Sequence, residues 1–297
     1  MIISSAPGSF MLFGEHAVLR GNHALMIAVN RRITLTLTPI PQNDIVIHSD
    51  LGDYNTTLDE IRVEKPFHYI LQTLKDYLPS TGLHIQVTSA MSHTMGFGTS
   101  AAVVVAMLGG IMGLEGHLDK EVLFDQALKI VRAVQGIGSG ADLAASIWGG
   151  VGLYRCDPFL YQKLEYRPQL YAVYTGYKTP TPEVIHLVNA RFKDFPEELA
   201  ILDQANDVIT QTAAQHINNP LILGRLLNDG AGIMESYGVH TKEISSLLWR
   251  NRIQSHGIKL SGSGLGDCAV ACVKNNFYPE DSMKISIADD GLIVEKC

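Results

Sequence analysis

"SHTMGFGTSAAVVVA", residues 92–106, passes from a polar stretch through Gly-Phe-Gly and two hydroxyl residues into small and branched apolar side chains. Gly96 and Gly98 allow a positive φ and a close approach of backbone to a ligand. Thr99 and Ser100 stand where the first helical turn should begin. The first-turn amides of a helix lack internal partners and carry the positive end of its dipole. A phosphate placed there satisfies those donors. The segment that follows, "AAVVVAMLGGIMG" (101–113), is apolar on every side and predicts a helix central to the core. The stretch therefore reads as an anion site on a rigid mount, with an ordinary capped loop as the alternative.

A second pattern overlaps it. Gly96-x-Gly98-x-x-Ala101 matches the dinucleotide-binding G-x-G-x-x-A. The alternating segment Leu83–Thr88 ends well before it, however, whereas a Rossmann turn follows its strand at once. The Walker pattern is absent, since no Gly-Lys pair occurs in the chain.

Two further glycine-rich loops accompany the first. In "QGIGSGADLAASIWGG" (135–150), three alternating glycines precede Asp142 and a run of small residues. An acid at that place is poorly explained by solvation; the alternative is a helix N-cap. In "KLSGSGLGDCAVACV" (259–273), Ser261, Gly262, Ser263, Gly264 and Gly266 precede an apolar strand pattern. Successive backbone amides in such a loop make anion-binding nests; a flexible hairpin loop is the alternative.

The rest of the sequence bounds the frame. The 297 residues are 46% hydrophobic and 18% charged, below the usual share of about 25% charged residues. That predicts a sizeable buried core. A net charge of −7 argues against a nucleic-acid surface or a polybasic membrane surface. The four cysteines form no C-x-x-C pair, there is no secretory leader pattern, and no apolar run is long enough to span a bilayer. These features fit a reduced cytoplasmic enzyme.

Alternation at Ile33–Thr38 and Leu83–Thr88 predicts half-buried strands. Phe67, Ile70, Leu71, Leu74 and Leu78 follow helical spacing after Pro66, and Asp119 is placed to cap a helix through Val131. A boundary is expected around 155–170. Beyond it come a strand at 169–176, a Thr/Pro-rich loop, and a helix from an Asp194/Glu197 capping box to about 217. Helices near 220–236 and 241–254 follow, then strands near 268–273 and 284–294. The pattern is α+β.

The N-terminal stretch "SSAPGSFMLFGEHAVLRG" (4–21) completes a set. With "MGFGTSAA", "GSGADLAASIWGG" and "KLSGSGLGDCAVA" in the same order, the whole chain resembles the GHMP kinase superfamily, whose members phosphorylate small molecules. The "GEHAV" of the first motif is most similar to the mevalonate kinases. The resemblance implies a two-domain α+β fold, with a ribosomal-protein-S5-like domain over 1–160 and a ferredoxin-like domain over 161–297. It implies ATP between them, its phosphates wrapped by Met95, Gly96, Phe97, Gly98, Thr99, Ser100 and Ala101. Mg2+ would lie near Thr99 or Ser100, and Asp142 would be the catalytic aspartate. Glu15, His16, Ser139 and Gly140 would line the substrate, and Ser261, Gly262, Ser263 and Gly264 would close over it. The expected reaction is phosphorylation of a small alcohol, mevalonate first. Phosphomevalonate or another acceptor, or nucleotide binding without catalysis, are the alternatives. Homodimers are common in the family; nothing in this sequence shows one.

Three departures stand out. Ser9 occupies the place where mevalonate kinases carry a lysine thought to pair with the aspartate. Lys178 and Lys259 are the candidate replacements, against the commoner role of a solvated surface lysine. Val131 stands where those kinases often place a metal-binding glutamate, and the nearest upstream acid is Asp125. "TGYKTPT", "GSGAD" and "GLGDC" are closer to phosphomevalonate kinases, for which Lys178, Arg191 and Lys259 would supply cations.

Overall fold

The computed structural model describes residues 1–91 and 97–297. The expected phosphate contacts of Met95 and Gly96 lie outside the described residues. Two sheets organise the chain. The first has eight strands: β1 (Ile2–Phe13), β2 (Ala24–Ile40), β3 (Asp44–Ser49), β4 (Gly52–Thr57), β5 (Gly82–Ser89), β6 (Val151–Arg155), β7 (Leu160–Leu164) and β12 (Ile293–Lys296). Its order is β12-β1-β2-β5-β3-β4, with β6 paired to β2 and β7 to β6. The pairings are antiparallel except β3 with β5, which is parallel. The second sheet has four antiparallel strands ordered β11 (Ser282–Ile285), β8 (Leu170–Tyr174), β10 (Cys268–Val273), β9 (Ser255–Leu260).

The opening stretch becomes helix α2 (Thr99–Glu115), which lies across β1 and β2. Around it pack α1 (His68–Asp76), α3 (Lys120–Gln135) and α4 (Ala141–Trp148). Buried on nearly every side, α2 carries apolar residues throughout, as its sequence predicts. Its glycines set the distance to the sheet. A Cβ on Gly109 would lie 2.6 Å from Leu292, one on Gly110 2.8 Å from Leu37, and one on Gly113 2.6 Å from Val294. Larger residues there would lift the helix off the strands.

Helices α5 (Thr181–Arg191), α6 (Pro196–Gln215), α7 (Pro220–Tyr237) and α8 (Lys242–Arg252) belong to the second half. α7 packs on β9 and β10, while α6 packs on α7 and reaches β2. The Asp119 cap forms as expected: its side chain accepts from the Glu121 and Val122 amides. Asp194 does not cap. Pro196, with its preset φ, starts α6, and Asp194 stands outside the helix with Phe195 at the cap position. The expected strand 284–294 is two short strands in different sheets. The connecting residues cross between them, pairing Ser286 O with the Asn30 amide and Ala288 with Ala28. A division at 160/161 falls at the start of β7, which pairs with β6 in the first sheet. The change of sheet falls between Leu164 and Leu170, and β12 returns to the first sheet.

Candidate active site

β1 is the spine of the site. Along its length it touches each of the other three motifs. The Ser146 hydroxyl of α4 donates to Pro7 O at 2.8 Å. The Ser9 amide donates to Phe97 O at 2.8 Å, and the Ser9 hydroxyl donates to Asp142 Oδ1 at 2.6 Å. The Ser261 hydroxyl donates to Met11 O at 2.9 Å. Small residues permit these approaches: a Cβ on Gly8 would lie 2.5 Å from Phe97 O. Gly98 has φ +61°, and a Cβ there would lie 2.0 Å from Ser9 Oγ and 3.3 Å from Asp142 Oδ1.

These contacts enclose a cavity of about 320 Å³. Its walls include Gly98, Thr99, Ser100 and Ala101 at the start of α2, and Ser139, Gly140 and Asp142 at the start of α4. Glu15 and His16 face it from beyond β1, and Ser261, Gly262 and Ser263 from the loop after β9. Two expected residues stand back from it. Phe97 is buried edge-on against Phe10, with centroids 5.3 Å apart, so only its backbone serves the loop. Gly264 packs against Val239, where a Cβ would lie 2.5 Å from the valine side chain. A second, apolar cavity of about 200 Å³ opens on the other side of Thr99 and Ser100, lined by Ile33, Leu51, Phe67, Tyr69 and Val103 among others. The two hydroxyl residues line both cavities.

Asp142 is the second residue of α4, and Gly140, with φ +84°, holds the cap position. The carboxylate therefore does not cap its helix. It opens into the cavity, near the positive end of α4, which favours a negative charge. The surrounding protein raises its pKa above the ordinary carboxylate value; the Ser9 hydrogen bond and the Lys178 charge oppose that rise, and Asp267 adds to it. Gly140 has no room for a side chain: a Cβ would lie 2.7 Å from the Tyr154 hydroxyl, which donates to Ser139 O at 2.6 Å.

Glu15 and Lys259 form a buried ion pair, each about 1% exposed. Burial raises the Glu15 pKa and lowers that of Lys259, and their mutual attraction opposes both shifts. Lys259 is thus neither a surface lysine nor a partner of Asp142. It serves Glu15 and donates to Leu260 O. Glu15 Oε2 is buried without a hydrogen-bond partner among the described residues, on the side chain that lines the cavity. His16 adopts φ 62°, a strained value for a non-glycine residue. Burial pushes its pKa down to about 4, so the ring is neutral at pH 7. Its Nε2 lies 2.8 Å from Ser263 O, an acceptor, so that nitrogen carries the proton. The last loop is thereby tied to the first motif at His16 and at Met11.

A network absent from the sequence reading supports this corner. Arg20 forms two hydrogen bonds with Asp203, and the Tyr237 hydroxyl donates to the same carboxylate at 2.6 Å. Asn206 Nδ2 donates to Glu15 O at 2.8 Å, and the Tyr237 ring lies 5.1 Å from that of His16. Asp203 and Asn206 are one turn apart on α6, but nothing near them in sequence marks them as partners of residues 15–20. Arg191 sits at the end of α5, over the Phe192 ring and away from the cavity, so it supplies no charge there. Lys178 does line the cavity. Thr181 and Asp267 join the lining without having been singled out from the sequence.

Among the described residues, no group of three or more His, Cys, Asp or Glu side chains could hold a metal ion. Val131, at the position where the family resemblance implies a metal-binding acid, lines the cavity. The oxygen donors at the start of α2 are the Thr99 and Ser100 hydroxyls. Such a set suits Mg2+, which keeps several waters and is usually shared with substrate phosphates.

Comparison with known proteins agrees with this architecture. Residues 64–150 match the family model described as the GHMP kinases N terminal domain. The chain is 30% identical to mevalonate kinase from Methanothermobacter thermautotrophicus, over 90% of this chain and 89% of that protein. The chain belongs to the GHMP kinase family. It is also 28% identical to mevalonate kinase from Pyrococcus furiosus, over 92% and 90% of the two chains. In fold, this GHMP kinase is similar to the crystal structure of Methanococcus jannaschii mevalonate kinase. The TM-score is 0.78 at 23% identity, covering 92% of this chain and 90% of that one. No helix among the described residues is long and apolar enough to cross a membrane.

Proposed function

We propose that this GHMP kinase transfers the γ-phosphoryl group of ATP to the primary hydroxyl of mevalonate. The observation that carries the mechanism is the meeting of two unlike cavities at Thr99 and Ser100. The apolar cavity suits a nucleobase. The polar cavity, holding Asp142 and Glu15, suits a small hydroxylated acceptor. Between them lies the N-terminus of a buried 17-residue helix, whose Thr99 and Ser100 amides, without a backbone partner among the described residues, suit the phosphates. Mevalonate as acceptor is supported by the curated relatives, which match across nearly their whole length.

Phosphoryl transfer depends on alignment and charge neutralisation more than on strong bases. The first-turn amides of α2 hold the phosphates in line with the polar cavity. Asp142 orients the acceptor hydroxyl and accepts its proton as the oxygen bonds phosphorus. Ser9, donating to Oδ1, fixes the carboxylate and leaves Oδ2 for the acceptor. The last loop, tied to Met11 and His16, closes the cavity and excludes water. Mg2+ held by Thr99 or Ser100 would neutralise phosphate charge when bound.

The test is ADP release with ATP, Mg2+ and a panel of mevalonate, phosphomevalonate, homoserine and galactose. The expected result is turnover with mevalonate and loss of about 10²–10⁴-fold in kcat for Asp142→Asn, with ATP binding retained. Full turnover by Asp142→Asn removes the role given to Asp142. ATP binding with no phosphorylated product from any acceptor favours the non-catalytic reading.

A further inference from the structure

The acceptor cavity presents an electrostatic deficit. Its acids are Asp142, Asp267 and Glu15, of which Glu15 is paired with Lys259 and Asp267 with Lys178. The partner of Asp142 is the uncharged Ser9. His16 is neutral at physiological pH. Transfer brings further negative charge into this space. Among the described residues that line the cavity, Lys178 is the one lysine or arginine.

Lys178 is held in place from below. Its Nζ lies 3.1 Å from Asp267 Oδ2. The two loops that carry these residues are joined by backbone hydrogen bonds. The Asp267 amide donates to Tyr177 O at 2.7 Å, and the Thr175 amide donates to Asp267 O at 2.8 Å. The Thr179 hydroxyl donates to Leu265 O. The loop after β8 and the Ser/Gly loop after β9 therefore act as one body, with Lys178 at its cavity edge. Its side chain remains 45% exposed, so the ammonium, with three donors of which Asp267 takes one, can also meet a ligand.

We propose that Lys178 is a catalytic residue, the cation that faces Asp142 across the acceptor and stabilises the entering oxygen and the transferred group. The proposal rests on the phosphoryl-transfer reading above. The acceptor oxygen uses a lone pair to bond the γ-phosphorus, and the bond from that phosphorus to the bridging oxygen breaks, its electron pair leaving with ADP. The hydroxyl proton passes to Asp142. Lys178 donates hydrogen bonds to oxygens that gain charge on this path and gives up no proton. The charge thus comes from the second sheet's side of the cleft, and Ser9 only steers the carboxylate.

The test compares wild type, Lys178→Met, Lys178→Arg and Lys178→Ala in steady-state turnover of ATP with mevalonate. Lys178→Met should lower kcat by about 10²–10³-fold, as the loss of one preorganised donor does, with KM for ATP within about threefold. Lys178→Arg should recover at least a tenth of the lost rate, or ethylammonium added to Lys178→Ala should restore turnover saturably. A kcat for Lys178→Met within about fivefold of wild type overturns the proposal. A change confined to the KM for mevalonate also overturns it, because Lys178 would then anchor the acceptor's carboxylate. A loss relieved neither by arginine nor by ethylammonium overturns it as well. Wild-type protein that turns over no acceptor refutes instead the functional reading beneath it.

Discussion

Gly98→Ala tests the close packing on which the site depends. At φ +61° an alanine pays the left-handed penalty, about 1–2 kcal/mol. Its Cβ would also stand 2.0 Å from Ser9 Oγ, so the hydroxyl must rotate away. Rotation breaks the 2.6 Å bond to Asp142, and a hydrogen bond to a charged group contributes about 1.5–3 kcal/mol. The sum is about 2.5–5 kcal/mol. In a Ser9→Ala background the oxygen is gone and the remaining Ser9 Cβ lies at 3.3 Å, so only the backbone strain of about 1–2 kcal/mol remains. Urea unfolding of the four proteins measures the cycle, and ADP release measures its effect on turnover. The expected coupling is about 1.5–3 kcal/mol. Equal costs of Gly98→Ala in both backgrounds, within about 0.5 kcal/mol, refute the argument that Gly98 exists to clear Ser9.

Lys259→Met should destabilise the protein by about 3–5 kcal/mol, because it strands the Glu15 carboxylate in the interior. Glu15→Gln combined with Lys259→Met should recover at least half of that loss in the same urea assay; a double variant as unstable as the sum of the two singles contradicts the pairing. His16 has a folded-state pKa of about 4 against an ordinary 6.5. Between those values the unfolded chain binds the proton and the folded one does not. Its contribution is therefore complete above pH 6.5 and lost as pH falls toward 4, about 3 kcal/mol in total. Unfolding free energies of wild type and His16→Gln from pH 7.5 to 4 should converge by about that amount, and parallel curves would contradict the burial of a neutral ring. Gly140→Ala should disrupt the start of α4, since its Cβ would meet Tyr154 and Phe124 at under 3 Å. Its kcat should fall more than that of Gly262→Ala, whose Cβ would meet nothing within 4 Å; the reverse order in turnover assays would contradict the assignment of Gly140 to a packed corner.

Local chemistry made much of this legible. Helix α2 was readable because glycines, hydroxyls and an all-round apolar body need no tertiary information to interpret. The Asp119 cap lies next to the amides that it serves. The four motifs were visible as residue patterns, but the convergence of the other three on β1 was not, because hydrogen bonds such as Ser9–Asp142 span 133 residues. Lys259 misled for a related reason: a lysine just ahead of a glycine-rich loop reads as a surface residue or as a cation for Asp142 until its partner is found 244 residues away. Asp203, Asn206 and Tyr237 carried no signal, since polar residues on a long helix read equally well as its wet face. Asp194 failed where two start signals competed, and Pro196 won because its φ is preset.

The central claim is that α2 presents its Thr99 and Ser100 amides to a nucleotide's phosphates while Asp142 lines up an acceptor oxygen. A crystal structure with a non-hydrolysable ATP analogue and mevalonate measures both at once. The account predicts phosphate oxygens on the Thr99 and Ser100 amides and the primary hydroxyl within about 3 Å of Asp142. A triphosphate bound away from Gly98, or a mevalonate hydroxyl out of reach of Asp142, would contradict it.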